Sequence, residues 1–178
     1  MKINLGCASN PLSEYTNVDM DSLEEMRVRY PSKKFSDDIV IKQWDIFNLP
    51  VEDNSVEEIR ADCLFEHLDF KQEKKIFYEV KRVLKVGGIL NLAVPDAESV
   101  VRSWLDAEDD WKDWYRDDEE AIKQRHWFGT YEYSYENRWG YLTACIFGSQ
   151  NGEGQYHKNF YTIQKLRNIC KKLNFTIV

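Results

Sequence analysis

Short, mostly apolar runs separated by turn-forming residues fill the first half of the chain. Lys2 to Gly6 is a β-prone segment that stops at glycine, and Asn17 to Asp21 is a second that stops at acids. Ile39-Val40-Ile41 leading to Trp44-Asp45 predicts a third strand. Val56 to Phe65 predicts a fourth, introduced by the turn signal Glu52-Asp53-Asn54-Ser55. From Gln72 to Leu84 the period changes. Ile76, Phe77, Val80, Val83 and Leu84 fall on one stripe of a helix, with Gly87-Gly88 as its expected stop. Ile89 to Val94 follows as an apolar strand broken only by Asn91, then a helix from Ala97 to Leu105. Trp and Tyr among charges run on to Tyr161. A plain helix with Ile163, Leu166, Ile169, Cys170 and Leu173 on one face then leads to the strand-like Phe175 to Val178.

Nearly all-apolar strands alternating with an amphipathic helix suit a parallel, doubly wound α/β sheet covered on both faces. In such sheets ligands bind beyond the carboxyl ends of the strands, here Gly6-Cys7-Ala8, Asp19, Asp45, Glu66-His67 and Pro95-Asp96. Asn17 follows Cys7 by only ten positions with Pro11 between them, too short a span for an average crossover helix. At 178 residues and 21.2 kDa a single domain is expected. Its parts are a cofactor-side half at 1–96, an aromatic and acidic insertion at 97–161, and a terminal helix and strand at 162–178.

Composition narrows the partners. A net charge of −7 and a pI near 5.1 argue against bulk attraction to nucleic acid or anionic membrane. Nine acids against two bases lie in Asp106–Glu120, and the remaining residues carry 22 of each sign. The acidity is thus local, a solvated face or a selector of cationic or polyhydroxy substrates. Of the 25 aromatic rings, 15 lie between Trp104 and Tyr161. They either pave a substrate pocket or pack a small helical subdomain or dimer surface; Tyr131, Tyr133 and Tyr135 alternate like one face of a strand. Cys7, Cys63, Cys145 and Cys170 lack metal-ligand spacing and read as reduced, mostly buried thiols, and no metal site is expected. No apolar run is long enough for a signal peptide or a membrane span, so a cytoplasmic setting is expected.

Several segments, in their order and spacing, are similar to the class I S-adenosylmethionine-dependent methyltransferases. They are Ile3-Asn4-Leu5-Gly6-Cys7 with Tyr15-Thr16-Asn17-Val18-Asp19, Asp45-Ile46-Phe47-Asn48-Leu49-Pro50, Leu64-Phe65-Glu66-His67-Leu68, Glu79 to Gly88, and Val94-Pro95-Asp96. His157-Lys158 before the last helix resembles a compact, type 11-like subgroup. The resemblance implies a Rossmann-like fold with S-adenosyl-L-methionine as cofactor. Gly6, Cys7 and Ala8 correspond to the loop along the methionine part, although Ala8 and Asn10 stand where the second and third glycines of the family pattern fall. Asp19 corresponds to the acceptor for both ribose hydroxyls, with Asp21 as the alternative, Asp45 and Ile46 to the adenine side, and Leu64 to a further cofactor contact. The resemblance also implies a seventh strand that this chain does not include. Either the chain is cut short or the fold is minimal, and an unpaired sixth strand at Phe175–Val178 invites homodimerisation.

Methyl transfer from a sulfonium is an in-line displacement in which the protein mainly positions the nucleophile and excludes water. A hydroxyl nucleophile needs a base. His157 is the first choice among three histidines, with an exposed loop residue as its alternative, and Glu66 and His67 after the fourth strand are further candidates. His67 serves equally well as a helix-entry hydrogen-bonding residue, and His126 as packing. The absence of an Asn/Asp-Pro-Pro-Tyr motif removes support for methylation of the adenine or glutamine amino group. The expected function is methyl transfer to a small-molecule or sugar-like acceptor; the rival is a non-catalytic protein of the same fold that binds S-adenosylmethionine or S-adenosylhomocysteine.

Overall fold

Five parallel strands form one sheet in the order β3-β2-β1-β4-β5, where β1 is Lys2–Leu5, β2 Thr16–Val18, β3 Ile41–Lys42, β4 Val56–Asp62 and β5 Leu84–Ala93. The computed structural model describes residues 1–106, 138–150, 152 and 154–178, which fall into two compact units, Met1–Val94 and Pro95–Val178. The sheet belongs to the first unit. The chain runs outward from β1 through β2 to β3, then returns to pair β4 with the other side of β1. The junction of β1 and β4 is therefore the topological switch point, where this architecture opens a crevice. Right-handed crossovers put α1 (Leu23–Arg29), after β2, and α2 (Phe70–Val83), after β4, on opposite faces.

The amphipathic stripe forms α2 as expected. Asp69 caps it, its carboxylate accepting from Lys71 and Gln72 N–H while the Gln72 side chain reaches back to the Asp69 N–H. Ile76, Phe77, Val80 and Val83 are buried in the core that also holds Ile3, Leu5, Ile59 and Ala61. Each such aliphatic or aromatic side chain contributes about 1.5–3 kcal/mol on burial. The Phe65 and Phe77 rings meet edge to face with centroids 4.9 Å apart.

The helix stops earlier than expected. It ends at Val83, and Leu84 turns to extended backbone, φ −68 and ψ 133. Gly87 and Gly88 lie inside β5, at its irregular start, where β4 and β5 shift register between Val56 and Glu58. Helix α1 is not expected from periodicity. A Ser22/Glu25 capping box starts it, and only Met26 of its seven residues is buried.

No helix joins β1 to β2, as the short spacing requires. Two asparagines, each 4% exposed, satisfy the intervening loop. Asn4 Nδ2 donates to Asn17 Oδ1 and to the Asn10 carbonyl, both at 3.1 Å. Asn17 Oδ1 accepts from Leu12 N–H at 2.8 Å, and Asn17 Nδ2 returns a bond to the Leu12 carbonyl at 3.0 Å. Side-chain amides thus supply the backbone partners that a crossover helix would otherwise provide.

The second unit holds α3 (Ala97–Asp106), α4 (Arg138–Phe147) and α5 (Ile163–Leu173), with α3 packed on α4. Asp96 bridges in parallel to the buried Tyr161, with Ala97 N–H donating to the Tyr161 carbonyl at 2.9 Å. Thr162 caps α5, and Asn174 ends it in the left-handed region at φ 58. Residues 175–178 form no strand, where the sequence pattern predicts a sixth. The acidic stretch beyond Asp106, His126 and the alternating tyrosines lie outside the described residues. Among the described residues no disulfide joins the four cysteines, and only Cys7 is buried, against the expectation of mostly buried thiols. Among the described residues no helix is long and apolar enough to cross a membrane.

Candidate functional site

At the carboxyl end of β1 the backbone turns sharply. Gly6 adopts φ +61, and a Cβ there would stand 2.9 Å from Leu64 Cδ1, so the loop requires glycine on two counts. The Gly6 and Cys7 N–H groups donate to the Val18 carbonyl at 2.8 and 3.3 Å, which locks the loop against the end of β2. Ala8 also takes a left-handed conformation, φ 41, at a position where the family pattern has glycine.

Asp19 ties these loops together. Its Oδ2 accepts from Ala8 N–H at 2.8 Å and its Oδ1 from Asp21 N–H at 3.1 Å. Two backbone bonds fix the carboxylate plane, and each oxygen keeps a further lone pair for a ligand hydroxyl. Asp21, the alternative, is committed elsewhere: Arg29 holds it through Nε at 2.6 Å and Nη2 at 3.1 Å. The neighbouring Cys7 thiol is pushed up to about 12, by burial and then by the Asp19 charge, so it stays protonated and is no nucleophile.

Asp45 opens a turn beyond β3. Its Oδ1 accepts from Phe47 N–H at 2.9 Å and its carbonyl from Asn48 N–H at 3.1 Å, which leaves the exposed carboxylate one oxygen without a partner among the described residues. Ile46 beside it is half-buried. The rest of the loop is clamped by two α2 residues that periodicity does not single out. Buried Glu79 accepts from Leu49 N–H at 2.6 Å and from Arg82 Nη2 and Nε at 2.6 and 2.9 Å. Arg82 in turn donates to the Val51 and Leu49 carbonyls, both at 3.0 Å, and to Asp53 at 2.6 Å. Burial alone raises the Glu79 pKa, but Arg82 and the Leu49 N–H outweigh it and hold the carboxyl below its usual range. The sequence signal is Glu79-x-x-Arg82, an i, i+3 pair of opposite charge at the border of the apolar stripe.

At the end of β4 the chain reverses through Cys63, φ 53, into a single 3₁₀ turn, Phe65–His67. Glu66 is only 2% exposed, and its Oε2 has no hydrogen-bond partner among the described residues. Burial pushes its carboxyl up to about 7, against the hydrogen bond from the Cys63 thiol, which itself rises to about 11. A Glu66 oxygen and a His67 ring nitrogen lie within 4.8 Å of each other. A carboxyl that titrates near neutrality beside an imidazole is suited to moving a proton.

His157 belongs to the second unit. Its Nδ1 lies 2.9 Å from the Cys145 carbonyl, which can only accept, so Nδ1 carries the proton and the lone pair sits on Nε2. Burial lowers its pKa, favouring the neutral ring. The loop before it closes through a Gly148–Tyr156 bridge and His157 N–H to the Phe147 carbonyl at 3.0 Å. A Cβ on Gly148 would lie 2.2 Å from the Gln155 carbonyl oxygen and 2.9 Å from His157 Cδ2, so only glycine permits this loop. His157 is thus half-buried and oriented, unlike an exposed loop histidine, while Lys158 faces solvent.

The first unit therefore gathers Gly6, Cys7, Ala8, Asp19 and Leu64 in direct contact, with Asp45, Ile46, Glu66 and His67 at neighbouring strand ends. Comparison with known proteins gives this arrangement its setting. A family model described as a methyltransferase domain matches residues 4–92, half of the chain. No curated protein matches the sequence. Among solved structures, a SAM-dependent methyltransferase of Thermotoga maritima, described as a possible histamine N-methyltransferase, is 14% identical; the match covers 99% of this chain and 64% of that one, with a TM-score of 0.51. The PH0226 protein of Pyrococcus horikoshii is 18% identical over 60% of this chain and 54% of its own, with a TM-score of 0.46. An S-adenosylmethionine-dependent methyltransferase of Clostridium acetobutylicum is 24% identical over 51% and 41%, with a TM-score of 0.38. The chain thus spans about half the length of the first solved relative it matches. With the family model matched over half of the chain, the residues that carry the five-stranded parallel sheet, the chain belongs to the methyltransferase domain family, type 11-like and class I, whose cofactor is S-adenosylmethionine.

Proposed function

We propose that the chain is an enzyme that transfers the methyl group of S-adenosylmethionine to a small-molecule or sugar-like acceptor in a reducing, cytoplasmic setting. The observation that carries the reading is Asp19, whose two oxygens are each fixed by one backbone N–H at the switch-point end of the sheet. A carboxylate held in this way, with one lone pair open on each oxygen, fits a ribose diol. Asp45, with one oxygen unengaged among the described residues, fits an adenine amino group.

In this reading Gly6, Cys7 and Ala8 let the backbone approach the methionine part of the cofactor, with Leu64 packed against Gly6, Asp19 receives the ribose, and Asp45 and Ile46 hold the adenine. When bound, the cofactor supplies a methyl carbon activated by a positively charged sulfur. The residues of the chain supply orientation and a proton acceptor. His157 Nε2 or the Glu66 carboxylate, with His67 beside Glu66, would take up the proton that the acceptor gives up on methylation.

The test is methyl-labelled S-adenosylmethionine offered with small polyols, phenols and amines. Label recovered in a small-molecule product, with turnover about 10²–10⁴-fold lower in His157→Gln, supports the proposal. Unchanged turnover in His157→Gln removes that residue from the mechanism. Cofactor binding without turnover on any acceptor class returns the protein to a purely binding role.

A further inference from the structure

The outward stripe of α2, opposite its core stripe, lines a groove. Lys71, Lys74, Lys75, Tyr78 and Arg82 recur at i, i+3, i+4, i+7 and i+11, and Phe47 from the Asp45 turn forms the facing wall of a volume of about 600 Å³. The floor is apolar. It consists of the Phe47 ring, the half-exposed Tyr78 ring and the methylene stems of the lysines. The rim is cationic. The three lysines are exposed, and none forms an ion pair among the described residues. The helix carries five basic side chains against two acidic ones, in a chain whose net charge is −7. At the far end Arg82 is paired with Glu79 and Asp53, so the unpaired positive charge of the groove lies on its three lysines.

We propose that this groove docks a short acidic peptide segment of a partner protein, with one apolar or aromatic side chain seated between Phe47 and Tyr78 and carboxylates on Lys71, Lys74 and Lys75. The size of the charged patch selects this occupant. From Lys71 to Lys75 the rim runs only about 6 Å along the helix axis, which suits two or three carboxylates of a peptide. Nucleic acid of the usual footprint engages roughly 6–10 phosphates, more than three lysines can meet. An apolar anchor ringed by complementary charge is the arrangement in which a small interface concentrates its binding energy.

The experiment is fluorescence anisotropy on the full chain, with a labelled peptide of glutamates flanking one phenylalanine, the same peptide with glutamine for glutamate, and a labelled oligothymidylate. Saturable binding of the glutamate peptide is expected, weakened by added salt and absent for the glutamine peptide. The Lys74→Glu/Lys75→Glu pair, on an exposed face where folding is undisturbed, lowers affinity by about tenfold or more, and Tyr78→Ala by several-fold. Failure of the glutamate peptide to saturate, binding indifferent to the charge reversal, or tighter binding of the oligothymidylate overturns the proposal.

Discussion

Ala8 sits at φ 41, where its Cβ crowds the backbone, next to Gly6 at φ +61, where a Cβ would meet Leu64. The two positions answer oppositely to substitution. Ala8→Gly relieves left-handed strain and raises stability by about 0.5–1 kcal/mol, read as a higher midpoint in urea. Gly6→Ala adds strain and a clash, costs about 2 kcal/mol, and weakens cofactor binding, read by calorimetric titration with S-adenosylmethionine. Glu66 gives a pH signature. Its carboxyl titrates near 7 when folded, above the ordinary value, so between about pH 4.5 and 7 the unfolded chain binds fewer protons than the folded one. Stability contributed by the protonated group is therefore full at low pH and lost as pH rises through that window, by on the order of 2–3 kcal/mol. Glu66→Gln removes this loss. Urea midpoints at pH 5 and pH 8 should converge in the variant, and an unchanged pH dependence would contradict the assignment.

At the scale of elements, the Glu79–Arg82 pair holds Leu49 to Asp53 on α2 and thereby supports the turn that presents Asp45. Glu79→Ala leaves the Leu49 N–H and the Arg82 guanidinium without their acceptor and costs about 3 kcal/mol. Glu79→Gln, which keeps an acceptor oxygen for Leu49, costs less. Both changes lower cofactor affinity, the alanine variant more, as calorimetry can measure. Elements with an apolar stripe at helical spacing were legible in the sequence: α2, α3 and α5 stand within two residues of expectation. Helix α1 was not, because one buried methionine leaves no period and its only signal is the Ser22/Glu25 cap. Gly87-Gly88 misled because extended backbone at Leu84 already ends the helix, and the hydrogen bonds of β4 then draw the glycines into β5.

For the whole molecule, the candidate site is legible as a set of strand ends, because a parallel sheet delivers every strand's carboxyl end to one edge. What the sequence concealed is which acid remains available. Only the pairing of Arg29 with Asp21 separates it from Asp19, and only the Cys145 carbonyl assigns the lone pair of His157 to Nε2. The central claim is that the switch-point edge of this sheet receives S-adenosylmethionine through Asp19. Calorimetric titration of the full chain with S-adenosylmethionine and with S-adenosylhomocysteine tests it most directly. The account predicts saturable binding of both, weakened by about tenfold or more in Asp19→Ala through loss of charge-assisted hydrogen bonds. A folded wild-type protein that takes up neither ligand, or an Asp19→Ala variant that binds as the wild type does, would contradict it.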